Sequence, residues 1–130
     1  MYRIVVLTNS EAQETFFTEQ VCQFCAEWGR FPIIETFCDQ EQFFEAVRKT
    51  PPTNAVIALP GVNGLNAVEH LRGLCRNTRI IWCSDLDFSL HAFRLRADYF
   101  LLEPVTKEAF RQGLYVWLNE KNSATQLRPD

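Results

Sequence analysis

The chain alternates short apolar runs with longer segments in which apolar residues recur every three or four positions. The short runs are rich in β-branched residues and end at polar or turn-forming residues, as in YRIVVL and AVIAL. Such runs are typical of strands that are covered on both faces. The pattern predicts five strands, at residues 2–7, 33–38, 55–59, 80–83 and 99–102.

An amphipathic segment follows each predicted strand. The first helix begins at Ser10, which with Gln13 forms a capping box, and ends at Gly29. The second begins at Asp39 and is stopped by Pro51. A loop at residues 60–64 leads into the third helix, the fourth spans residues 88–95 with its apolar residues along one face, and the fifth begins at Thr106.

Five strands that alternate with five helices predict an α/β fold, a doubly wound five-stranded parallel sheet, because right-handed crossovers place helices on both faces. The flavodoxin-like strand order 2-1-3-4-5 is the common solution at this length. A chain of 130 residues favours one domain. We assign residues 1–118 to it and residues 119–130 to a C-terminal tail or the start of a linker.

Composition and charge disfavour several classes of function. A net charge of -3 disfavours direct nucleic-acid binding by this chain. No apolar run reaches membrane-spanning length and the first residues lack a signal-peptide layout, so we expect a cytoplasmic protein with no membrane contact. The five cysteines are an odd number within apolar patterns, which predicts buried, reduced thiols. Cys22 and Cys25 form a CxxC inside a helix, which disfavours redox or zinc chemistry.

Two stretches carry a resemblance to a known family. They are PGVNGL at residues 60–65 and FSLHAFRLRADYFLLEP at residues 88–104. Over about residues 2–118 the chain resembles the CheY-like receiver domains of response regulators, especially those of the LytTR class. In the second stretch the matched residues are Phe88, Leu90, Ala92, Phe93, Ala97, Phe100, Leu101, Leu102 and Pro104.

The resemblance also shows where this chain departs from the family. There, two acidic residues after the first strand bind Mg²⁺, an aspartate after the third accepts a phosphoryl group, a Ser or Thr ends the fourth, and a Lys ends the fifth. The matching positions here are Thr8, Asn9, Leu59 (or Val56, if counted back from Pro60), Ser84 and Glu103. Of these only Ser84 fits. The resemblance therefore implies a degenerate pseudo-receiver with no catalytic residue, metal or cofactor.

Two other uses of the strand ends remain open. Asp85, Glu103 and Glu11 could hold a divalent ion with Asn9, although capping or solvated roles are favoured, with Glu103 paired to Lys107 or to amide donors. The phosphate-binding patterns GxGxxG and GxxxxGK[ST] do not occur. A small ligand- or flavin-binding protein that uses the strand-end crevice is the alternative function.

In the family, the fourth helix, fifth strand and fifth helix form the output face. Phe100 lacks the hydroxyl of a tyrosine, so we expect it to stay buried. The candidate interface residues are His91, Arg94, Arg96, Tyr99, Lys107 and Arg111. The first hypothesis is a phosphorylation-independent signalling module of a bacterial transcriptional regulator, which dimerises or docks a protein partner through this face. A purely structural oligomerisation module is a third.

Overall fold

A computed structural model describes residues 2–127, and side chains through residue 118. Within that range five strands alternate with five helices. They are β1 (Arg3–Thr8), α1 (Glu11–Glu27), β2 (Ile33–Phe37), α2 (Gln40–Lys49), β3 (Asn54–Ala58), α3 (Gly61–Leu74), β4 (Arg79–Ser84), α4 (Ser89–Arg94), β5 (Tyr99–Leu102) and α5 (Lys107–Leu127).

The strands form one parallel sheet in the order β2-β1-β3-β4-β5. This confirms the predicted doubly wound fold and its strand order. The three central strands are buried almost throughout, which explains their nearly continuous apolar sequences. In the register of β1 and β3, Thr8 lies opposite Ala58, so these two strands end at the same level.

Alternate residues of the sheet pack into two separate hydrophobic cores. Val5, Ile57 and Trp82 face the side covered by α2, α3 and α4. Val6 and Ile81 face the other side, where α1 and α5 pack. Because successive strand residues point to opposite faces, each central strand contributes to both cores.

Three predicted helix starts are confirmed by their caps. The Ser10 hydroxyl accepts the Gln13 amide at 3.2 Å, Asp39 accepts the amide of Glu41, and the Thr106 hydroxyl accepts the amide of Ala109. At its far end α5 continues to Leu127, where the sequence analysis expected a tail or linker from residue 119. Residues 119–127 contain neither proline nor glycine, so nothing in them stops a helix.

Gly64 allows α3 to approach β3 closely. A Cβ placed on Gly64 would lie 2.4 Å from the backbone oxygen of Leu59 and 3.4 Å from Nε1 of Trp82. The first distance is far inside van der Waals contact, and the obstacle is backbone rather than a movable side chain. The glycine in PGVNGL is therefore required by packing in the first turn of α3.

The cysteine prediction is correct in part. Cys75 and Cys83 are buried, and all five thiols are free. Cys22 and Cys38, however, are exposed and Cys25 is only half-buried, so the expectation that every cysteine is buried is wrong for these three. Cys22 follows the inward-facing Val21 by about 100° of helix rotation, and Cys38 follows the end of an edge strand.

A buried arginine on α3 joins three parts of the fold. The Arg72 guanidinium donates to the backbone oxygens of Leu95 and Arg96 after α4, at 2.9 Å each. It also donates to those of Cys75, Arg76 and Thr78, which lead into β4. Burial lowers the pKa of this guanidinium below its ordinary value. Arg72 thus fixes the turn before β5, in which Arg96 has a positive φ of 58°.

Within the part of the chain that the structure describes, no helix is both long enough and apolar enough to span a bilayer.

Substitution of Arg72 by lysine should destabilise the fold. A lysine ammonium can replace only some of the five hydrogen bonds and lacks the planar fork that makes them, so we expect a loss of about 3 kcal/mol. Urea unfolding followed by tryptophan fluorescence measures the free energy. Arg76→Lys, at an exposed side chain nearby, is the matched control and should change stability little.

Alkylation should distinguish the two classes of cysteine. Iodoacetamide should modify Cys22 and Cys38 in the native protein and Cys83 only after unfolding, because burial removes access and raises the pKa of the Cys83 thiol. Peptide mass spectrometry after timed quenching gives the rates. Rapid native labelling of Cys83 would contradict the described core.

Candidate functional site

The carboxyl ends of four strands meet at one edge of the sheet and form a crevice. Thr8 ends β1, Leu59 follows β3, Ser84 ends β4 and Glu103 follows β5. The structure thus brings together these four predicted positions, while Asn9 lies exposed at the rim. Such strand ends are the usual binding site of doubly wound sheets.

A side chain that the sequence analysis did not place in the crevice connects two of these positions. The Thr8 hydroxyl donates to Oε1 of Gln13 at 2.7 Å, and Nε2 of Gln13 donates to Oε2 of Glu103 at 3.0 Å. Thr8 is buried, whereas Gln13 and Glu103 are half-buried. One amide group therefore joins β1 to the end of β5.

Gln13 was expected to complete a capping box with Ser10. Only half of that box forms, because the backbone amide of Ser10 donates to the Thr8 hydroxyl instead, at 3.3 Å. The Gln13 side chain is thereby left for the crevice. Its place in the first turn of the helix after β1 was the signal that could have found it.

The position after β3 is apolar in either alignment. Leu59 follows the last residue of β3, is 5% exposed and packs in the core on the α2, α3 and α4 side. Val56 lies in the middle of the strand and is completely buried in the opposite core. Neither side chain has an oxygen that could attack a phosphoryl donor.

Ser84 and Asp85 close the crevice from β4. Ser84 is fully buried, and its hydroxyl accepts the backbone amide of Leu86 at 3.1 Å. Asp85 accepts the backbone amide of Gly61 at 2.8 Å, which ties the end of β4 to the start of α3. Both side chains thus accept hydrogen bonds from nearby backbone amides, which agrees with the capping roles favoured for the polar residues at the strand ends.

Glu103 makes the crevice electronegative. Its described partner is the Gln13 amide, in agreement with the expected amide donor, and Lys107 is exposed. Burial raises the pKa of the neighbouring Cys83 thiol, and the charge of Glu103 raises it further. Among the described residues, no group of three or more His, Cys, Asp or Glu side chains could hold a metal ion.

An open, polar depression of about 550 Å³ lies beside the crevice, between the ends of β1 and β2. Its walls include Glu11, Glu14 and the exposed Cys38. A flavin phosphate at this position would meet two carboxylates and no described cationic wall residue. The depression is therefore poorly suited to an anionic cofactor.

The face formed by α4, β5 and α5 exposes more large apolar side chains to solvent than expected. Leu90 is 68% exposed and Phe93 is 82% exposed, and of α4 only Ala92 is buried. The expectation that the apolar residues of this helix lie along one face is wrong, because Ala92 is buried whereas Leu90 and Phe93 are exposed. Phe88, just before the helix, fills the space instead by stacking on Trp82 at 5.4 Å.

The predicted interface residues differ in exposure and in the contacts that they make. Arg94, Arg96 and Lys107 are exposed, and His91 is half-buried with its ring edge-to-face on Phe88. Arg111 lies toward α1, where it pairs with Glu27 at 2.6 Å.

The two aromatic residues of β5 point to opposite faces of the sheet. Tyr99 is half-buried and packs on the core beneath α1 and α5. Phe100 is half-buried rather than buried, and its ring meets the fully buried Trp82 edge-to-face at 5.3 Å. Trp82 therefore contacts both Phe88 and Phe100, so these aromatic rings pack as one unit.

Comparison with known proteins shows the fold. No family model matches the chain, and no curated protein sequence matches it. The chain is similar to a solved LuxR-family two-component response regulator from Aurantimonas sp. SI85-9A1, with a TM-score of 0.72 and 19% identity over 92% of this chain and 86% of that one. A response regulator receiver domain protein from Clostridium thermocellum gives a TM-score of 0.73 and 12% identity, over 95% of this chain and 99% of that one.

A third similar structure is the chemotaxis protein CheY4 of Vibrio cholerae. It gives a TM-score of 0.66 and 16% identity, over 88% of this chain and 97% of that one. The architecture is therefore the CheY-like form of the flavodoxin fold, as the resemblance implied.

The Gln13 to Glu103 hydrogen bond should be measurable as a coupling energy. In a double-mutant cycle of Gln13→Ala and Glu103→Ala, we expect each change to cost about 1 kcal/mol and the coupling to be of similar size, because the bond has a charged acceptor but is partly exposed. Urea unfolding provides the four free energies. Gln112→Ala, an exposed glutamine on α5, is the control and should be neutral.

Proposed function

We propose that this chain is a pseudo-receiver, a phosphorylation-independent signalling module of a two-component type. It acts by binding a protein partner or a second copy through the face of α4, β5 and α5, within a bacterial regulator of transcription. The observation that carries the proposal is the Gln13 side chain, which spans the crevice between Thr8 and Glu103.

Phosphoryl transfer to this crevice lacks the nucleophile, the acidic metal ligands and the lysine, and retains only the hydroxyl residue Ser84. An acyl phosphate needs a carboxylate nucleophile, and Leu59 offers a buried hydrocarbon side chain. A hydroxyl at Thr8 and an amide at Asn9 are weaker ligands for Mg²⁺ than the carboxylates they replace.

The charge in the crevice also opposes a phosphoryl group. Glu103 stands where the family has a lysine, and like charges about 4 Å apart repel by about 1 to 4 kcal/mol at effective dielectrics between those of water and a protein surface. Gln13 fits this changed site because its amide can accept from a hydroxyl and donate to a carboxylate at the same time.

A role in regulation follows from the kind of protein that shares the fold. The similar solved structures include a two-component response regulator, a receiver domain and a chemotaxis protein. With the crevice unable to take the phosphoryl signal, the exposed face of α4, β5 and α5 is the part left to act, through contact. Large apolar side chains such as Phe93 and cations such as Arg94 suit a protein interface there.

The alternative, a flavodoxin-like ligand- or flavin-binding protein, has less support. The depression beside β1 is polar, and the carboxylates of Glu11 and Glu14 would repel a flavin phosphate. An added flavin that raises the melting temperature would favour that alternative.

Incubation with acetyl phosphate and Mg²⁺ tests the proposal directly. We expect the intact mass to remain unchanged, because the position after β3 is Leu59, which has no carboxylate, and because Glu103 replaces the lysine at the end of β5. A phosphorylatable receiver domain treated in parallel is the positive control. An added phosphoryl mass that is removed by hydroxylamine would show an acyl phosphate and would contradict the pseudo-receiver.

A further inference from the structure

A small cavity lies between α1 and α5, at the end of the sheet opposite the crevice. Its volume is about 30 Å³, and it is partly open to solvent. Asn54 begins β3 and lines this cavity, whereas the crevice lies beyond Ala58, where β3 ends. At about 3.3 Å per residue, the two sites are about 13 Å apart along the strand.

Two buried polar atoms belong to residues of the cavity wall and lack a partner. Asn54 is 3% exposed and Trp117 is 8% exposed, and both line the cavity. Among the described residues, neither Oδ1 of Asn54 nor Nε1 of Trp117 takes part in a hydrogen bond. Buried polar groups are nearly always paired, so two exceptions at one cavity point to a bound group that pairs with them.

The remaining wall and the volume limit what that group is. Ile4, Phe24 and Leu114 are buried and line the cavity. Oδ1 of Asn54 can only accept a hydrogen bond and the Trp117 indole can only donate one, whereas a hydroxyl group does both. An aromatic ring needs a cavity of about 150 Å³. The space therefore suits a hydroxyl on a short alkyl chain.

A cation lies at the open side of the cavity. Arg30 lines the cavity and is exposed. Its guanidinium donates to the Tyr2 hydroxyl at 3.1 Å and lies over the Tyr2 ring, 5.4 Å from the ring centre. These two contacts position the guanidinium, and its other N–H donors suit a carboxylate.

We propose that this cavity binds a short aliphatic hydroxy acid, with its hydroxyl at Asn54 and Trp117 and its carboxylate at Arg30. The alkyl chain covers the apolar wall between them. A water molecule would also pair with the two polar atoms, but it would leave the apolar wall uncovered and make no use of Arg30. The inference goes beyond the proposed function, since the cavity and the crevice lie at opposite ends of the sheet.

NMR titration of the ¹⁵N-labelled full chain with 4-hydroxybutyrate tests the proposal. The chain has three tryptophans, and Trp117→Phe identifies the indole N–H signal of Trp117. We expect this signal to shift with a Kd of about 1 mM. The signal of Trp82, which is fully buried in the other core, should stay in place.

Two simpler probes separate the two ends of the ligand. Butyrate lacks the hydroxyl and should bind about tenfold more weakly than 4-hydroxybutyrate, because the two buried polar atoms then stay unpaired. 1-Butanol lacks the carboxylate and should bind about fivefold more weakly. The second loss is smaller because Arg30 is exposed.

Matched variants assign each loss to a residue. In Asn54→Leu, the preference for 4-hydroxybutyrate over butyrate should fall from about tenfold to about threefold, since only Trp117 still pairs with the hydroxyl. The melting temperature should not fall, because leucine replaces an oxygen that has no partner among the described residues. In Arg30→Gln, 4-hydroxybutyrate should bind no better than 1-butanol. Arg48→Gln, at an exposed arginine of α2, is the control and should change neither preference.

Three results would overturn the hydroxy-acid site. They are a Trp117 signal that does not move at about 50 mM 4-hydroxybutyrate, equal binding of 4-hydroxybutyrate and butyrate by the wild-type protein, and an unchanged preference over 1-butanol in Arg30→Gln. The first two need no variant that could fail to fold. None of the three bears on the acetyl phosphate experiment, so failure of this site and failure of the pseudo-receiver proposal remain distinguishable.

Discussion

Two-sided burial of β1, β3 and β4 is the constraint on which the rest of the structure depends. Val5 and Val6 are adjacent in sequence yet belong to opposite cores, and neither is exposed at all. Burial on both faces requires helices on both sides of the sheet, and the crossovers then bring the carboxyl ends of the strands to one edge. The crevice containing Thr8 and Glu103 is a consequence of this arrangement.

The elements that the sequence predicts well are those whose pattern is dictated by this burial. Strand runs such as AVIAL and helix caps such as Ser10 and Asp39 are local signals in the sequence. The structure forms a strand or begins a helix at each of them. The strand-end positions of the crevice were therefore predictable, including the apolar Leu59. Gln13 was not, because a capping glutamine and a crevice glutamine have the same local sequence and differ only in a contact to a residue 90 positions away.

The misassigned residues are those for which another side chain competes for the same space. Helical spacing predicted that Leu90 and Phe93 lie on the same face as Ala92. Three aromatic side chains already fill the core beneath α4, namely Trp82, Phe88 and Phe100. A helix of only six residues needs few inward anchors, and Ala92 suffices where an aromatic stack covers the sheet. Arg72 was missed for a different reason, because its partners are backbone oxygens, which leave no pattern in the sequence.

The crevice and the α4 helix are linked by side-chain contacts that start from β4 and α3. Asp85 at the end of β4 holds the start of α3, Arg72 on α3 holds the turn after α4, and Trp82 on β4 packs on Phe88 at the start of α4. The end of β4 is therefore connected to both ends of α4, through Trp82 and Phe88 at the start of the helix and through Asp85, α3 and Arg72 at its end.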